Sequence, residues 1–71
     1  MHNEFTAIIE HDGEWYLAYS PEVPGSNAKG RTVDECRQNL AEAIASILED
    51  RRQDALSEVP AGAIIDVVVV R

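Results

Sequence analysis

The chain has 71 residues, thirteen of them acidic and six basic, for a formal net charge of −7. That length holds a single domain spanning residues 1–71 and buries only roughly 60% of the unfolded surface, so the margin of stability is thin. Cys36 is the only cysteine, which excludes an internal disulfide, and His2 and His11 have no Cys/His spacing beside them that would predict a metal site.

In chain order, residues 5–10 predict a strand from a short run of aromatic and β-branched side chains. His11, Asp12, Gly13 and Glu14 follow, and Asp-Gly between two such runs is a strong hairpin signal. Residues 15–20 predict the partner strand, with Trp15, Leu17 and Tyr19 on one face at period two. Pro21 and Pro24, closed by Gly25, predict a rigid bend rather than a continued ladder. Residues 26–31 leave room for one short strand ending at Gly30.

A helix then opens at Thr32, where Thr32 and Glu35 have the spacing of a capping box. Its apolar stripe is Val33, Cys36, Leu40, Ala43, Ile44, Ile47 and Leu48, which follows helical spacing without a break. Arg51 and Arg52 are expected near the far end, with the sign that the helix dipole favours there. Beyond Arg52 the pattern weakens into a loop around Pro60 and Gly62. Residues 63–70 predict a final strand, nearly continuous in Ile and Val and interrupted only by Asp66. Apolar residues on both faces suit a strand covered twice, yet one helix covers one face only. The uncovered face predicts self-association into a dimer or tetramer, against the alternative of a half-exposed strand. The fold class is therefore α+β: strand-strand-strand-helix-strand, an antiparallel sheet covered by one helix.

The charge bears on partners. Excess negative charge repels phosphate, and Lys29, Arg31, Arg37, Arg51, Arg52 and Arg71 are too scattered to make a nucleic-acid groove. No direct nucleic-acid binding is expected, and an acidic domain instead suits a basic protein partner. The polar N-terminus lacks an apolar leader and the longest apolar run, Val67 to Val70, is far too short for a membrane span. A soluble, cytoplasmic protein without membrane contact is expected.

No catalytic constellation emerges. Cys36 lies on the helix stripe and reads as a buried hydrophobe, not a nucleophile. Neither Ser20 nor Ser26 sits on a strand–turn–helix elbow. The four glycines are isolated, so no phosphate loop exists. Glu10, Asp12, Glu14 and Glu22 gather around the hairpin and bend, where a solvated surface is the simpler reading than acid–base or metal chemistry. No enzyme activity, no cofactor and no metal are expected.

The stretch from Asp12 through Trp15, Tyr16, Leu17, Ala18 and Tyr19 to Pro21-Glu22-Val23-Pro24-Gly25 resembles the signature of HicB-like antitoxins. So do Lys29-Gly30-Arg31-Thr32-Val33-Asp34-Glu35-Cys36 and Asn39-Leu40-Ala41-Glu42-Ala43-Ile44. Ser26 departs from the pattern, since many relatives carry Cys after the Pro-Gly. The resemblance implies a partly complete RNase H-like fold without nuclease activity. It also implies a partner: a small, basic, HicA-like toxin that cleaves messenger RNA, neutralised by covering its RNA-facing surface. Many HicB proteins append a DNA-binding domain; with the sequence stopping at Arg71, autoregulatory DNA binding is expected to be absent or supplied by another protein. Expected toxin contacts are Glu10, Asp12, Glu14 and Glu22, with Tyr16 as an aromatic anchor. The alternatives are an orphan of the same fold, serving as a self-assembling adaptor or ligand-binding module, and more remotely a small metal-dependent nuclease.

Overall fold

In the computed structural model the structure describes residues 4–70, so His2 and Arg71 lie outside the described residues. Three strands form one antiparallel sheet in the order β1-β2-β3, with β1 Ile8–Asp12, β2 Trp15–Tyr19 and β3 Ala28–Gly30. One helix, α1, follows over Val33–Ser57. This is the expected α+β strand-strand-strand-helix arrangement.

The β1–β2 hairpin sets the register. Asp12 pairs with Trp15 and Ile8 with Tyr19, which leaves Gly13 and Glu14 as the two loop residues. Gly13 has φ +60° and Glu14 has no positive φ, the pattern of a type II′ turn with glycine in the first central position. This tight turn draws His11 and Asp12 into the ladder. It accounts for β1 starting at Ile8 and ending at Asp12, later at both ends than the apolar run of residues 5–10 suggests.

Between β2 and β3 the proline-rich bend is held by its own backbone and by one side chain. Val23 N–H donates to the Ser20 carbonyl and Ser26 N–H to the Val23 carbonyl, both at 3.1 Å. The Ser26 hydroxyl is buried; it accepts from Ser20 N–H at 3.0 Å and donates to the Val23 carbonyl at 2.7 Å. Val23 thereby points into the core.

Helix α1 starts as its sequence dictates, with Thr32 Oγ1 accepting from Glu35 N–H at 3.0 Å. Its buried stripe is Cys36, Leu40 and Ile44, with Ile47 alongside, packed on Ala18 and Val23 and on the flanks of Ile9, Tyr16 and Ala28. Gly30 permits the close start of this packing, since a Cβ there would lie 2.6 Å from the Cys36 nitrogen. Val33 and Leu48, at the margins of the expected stripe, are exposed. The helix lies over β2 and β3, so the side bearing Leu48 overlooks open space beside β1.

Two expectations need correction. The helix does not end near Arg52 but continues to Ser57, and its last turn contains no basic residue. Gln53, Ala55 and Leu56 are good helix formers, and the first breaker is Pro60. Arg51 therefore sits before the last turn and instead donates to the Pro24 carbonyl at 2.9 Å. The second correction concerns residues 63–70, which form no strand and pair with none of β1–β3. Their side chains are exposed from end to end, Ile64 at 93% and Val68 at 85%. A β run gains its hydrogen bonds only from a neighbouring strand, and within one chain this run has none.

Candidate protein-binding face

The sheet has two unlike faces. Alternation puts Ile9, Tyr16, Ala18 and Ala28 under the helix. The opposite face receives Ile8, Glu10 and Asp12 from β1, Trp15, Leu17 and Tyr19 from β2, and Lys29 from β3. Cross-strand pairing sets Glu10 beside Leu17, Leu17 beside Lys29, and Ile8 beside Tyr19. Among the described residues no element packs over this face: Leu17 is 39% and Tyr19 42% exposed. A shallow depression runs between Glu10, Leu17, Tyr19, Asn27 and Lys29.

At the hairpin end of this face the Trp15 ring carries two cations, Lys29 Nζ at 4.8 Å and the Arg31 guanidinium at 4.6 Å from its centroid. Arg31 also lies 3.9 Å from a Glu14 carboxylate oxygen, in an exposed pair. The cations hold the indole against the sheet by their attraction to its π-face. They also offset acidic charge locally, so the net negative part of the face lies toward Glu10 and Asp12.

The five residues singled out in the sequence do not form one cluster. Glu10 and Asp12 share the open face with Leu17 and Trp15. Glu14 stands in the turn beside Arg31. Glu22 lies at the other end of the sheet, in the bend, where its carboxylate accepts from Thr6 N–H. Tyr16 belongs to the helix-covered face, stacked on His11 with centroids 4.6 Å apart and an interplanar angle of 20°; the carbonyl of Tyr16 accepts from the Cys36 thiol at 3.3 Å. The exposed aromatic of β2 is Tyr19. Ile8, Trp15, Leu17, Tyr19 and Lys29 share this face and are not among the contacts expected from the sequence. Period-two alternation carries the signal for them, but β2 is apolar on both faces, so alternation by itself does not say which side the helix takes.

Cys36 is fully buried, as its place on the helix stripe indicates. Among the described residues no three His, Cys, Asp or Glu side chains are placed to hold a metal ion. No helix among them is long and apolar enough to cross a membrane.

A UPF0150 protein of Synechocystis sp. (strain ATCC 27184 / PCC 6803 / Kazusa) is 42% identical over 72 aligned residues, covering 99% of each chain. The chain belongs to the UPF0150 family. Further UPF0150 relatives occur in Thermotoga maritima, 44% identical over 65% of this chain and 64% of its own, and in Helicobacter pylori strain J99, 35% identical over 72% and 71%. No family model matches the sequence, and no solved structure matches it significantly. The UPF0150 name states a kinship and no activity.

Proposed function

We propose that this UPF0150 protein is the antitoxin of a type II toxin–antitoxin pair, acting as the HicB-like proteins its sequence resembles act. It binds a small, basic, HicA-like toxin and covers the surface with which that toxin holds RNA. The chain performs no chemical step in this reading; its work is occlusion. The observation that carries it is the open β1–β2 face, which places Glu10 beside exposed Leu17 and Asp12 beside Trp15, with exposed Tyr19 further along the same face. Apolar and aromatic side chains at the centre of such a patch supply most of an interface's affinity. The carboxylates stand in for RNA phosphates, steer a basic partner onto the face and set the register. A formal charge of −7 extends that steering over the whole molecule.

The test is an affinity pull-down from the native cell with this protein tagged, at low and at high salt. The expected result is one small basic protein that cleaves RNA alone and stops when this chain is added back. Recovery of further copies of the chain and nothing else would overturn the proposal. It would favour the second reading, an orphan self-assembling adaptor or ligand-binding module, for which the exposed apolar run of residues 63–70 speaks.

A further inference from the structure

We propose that, free of any partner protein, the open face of the sheet packs on the same face of a second copy, about a two-fold axis parallel to β2. The inference does not rest on the toxin reading; it concerns the chain by itself.

The face is laid out in rows across the strands, and each charged row runs from acid to base. Glu10 pairs with Leu17 and Leu17 with Lys29, so the middle row is Glu10, Leu17, Lys29. The row at the hairpin end is Asp12, Trp15 and Arg31. Asp12 pairs with Trp15, and the Arg31 guanidinium lies 4.6 Å from the centroid of the Trp15 ring. The remaining row joins Ile8 to Tyr19 and carries no charge. β1 therefore contributes the acids, β3 and the residue after it the bases, and Trp15, Leu17 and Tyr19 form an apolar column between them.

That layout is complementary to itself in one orientation. A half-turn about an axis parallel to β2 sets β1 over β3 of the second copy and keeps the rows level. Glu10 then faces Lys29 and Asp12 faces Arg31, each pair made twice by symmetry. On the axis Trp15, Leu17 and Tyr19 meet their own counterparts. An axis across the strands would instead set β1 on β1, acid against acid. A uniformly basic partner answers Glu10 and Asp12 but meets Lys29 and Arg31 with like charge; a second copy answers all four. Facing sheets pack about 10 Å apart, a gap that Glu–Lys and Asp–Arg side chains bridge. Each face measures roughly 14 Å by 17 Å, from three strands at about 4.8 Å and five residues at about 3.4 Å. Such an area is small beside a standard interface, so the dimer is weak, with a dissociation constant on the order of 100 μM. A partner protein taking the face displaces the second copy.

The experiment uses Trp15, the single tryptophan of the chain, whose indole N–H gives one NMR signal at the interface. Full-length protein is diluted from about 1 mM to about 10 μM, with the mass followed by sedimentation. Physiological salt screens the overall charge beyond about 8 Å. The expected result is an indole shift that tracks a monomer–dimer equilibrium. Glu10→Lys alone and Lys29→Glu alone, both at exposed positions, set like charges face to face and should each weaken the dimer at least about tenfold. Mixed one to one, the two variants should pair with each other at about the natural strength, because every lysine then faces a glutamate. A natural chain that stays monomeric at about 1 mM overturns the proposal. So do single variants that dimerise as the natural chain does, which is association through another surface, and a mixture of the two that fails to pair.

Discussion

Ser26 shows how much of this fold hangs on single atoms. Its buried hydroxyl accepts from Ser20 N–H and donates to the Val23 carbonyl, and so holds together the bend that sends β3 back along β2. Ser26→Ala deprives a buried amide of its acceptor, at a cost of about 1–3 kcal/mol. Urea unfolding should show a lower midpoint with an unchanged m-value. Gly30 makes a different demand: its Cβ position is occupied by the backbone of Glu35 and Cys36, so Gly30→Ala must push the helix start off the sheet. At Gly25 nothing lies within 4 Å of a Cβ, but φ is +89°. Gly25→Ala is therefore strained by about 1–2 kcal/mol through its backbone alone. The bend is legible in the sequence because two prolines and a glycine narrow the backbone choices. The role of Ser26 is not, because a serine directly after a Pro-Gly turn reads as loop, and only the folded bend brings Ser20 and Val23 onto its oxygen.

For the elements, legibility follows whether the signal is local. The hairpin and the helix start are local: Gly13 with its turn geometry and Thr32 with its cap can be read within four residues. Thr32→Ala should cost about 1 kcal/mol, measurable as a lower thermal midpoint by circular dichroism at 222 nm. The helix end is less local. Hydrophobic periodicity fades after Leu48 since the overhanging turns have nothing to bury against, yet propensity carries the helix on to Ser57 until Pro60 approaches. Two further questions depend on partners. Both faces of β2 are apolar, so the choice of Tyr16 and Ala18 for the helix side, and of Leu17 and Tyr19 for the open side, is made by the packing of Cys36, Leu40 and Ile44. Residues 63–70 have strand composition, but composition does not name the strand they pair with.

At the scale of the whole molecule, the chain combines an uncovered sheet face, an uncovered β1 edge and a detached apolar run in 71 residues. The face lies on the side of the sheet away from the helix, with its acidic residues on β1. Because Leu17 and Tyr19 contribute nothing to the core beneath the helix, Leu17→Ala with Tyr19→Ala should leave the fold standing while removing the centre of the proposed interface. Tyr16→Ala should do the reverse, loosening the core and the stack on His11 first.

The most direct measurement of that separation is a titration of RNA cleavage by the captured basic protein, with this chain added in its native form and as the Leu17→Ala/Tyr19→Ala variant. The account predicts that the native chain stops cleavage near equivalence and that the variant, still folded by circular dichroism, needs at least about tenfold more, a loss of about 1.4 kcal/mol or greater. Equal inhibition by the two chains would contradict the assignment of the open β1–β2 face as the binding surface.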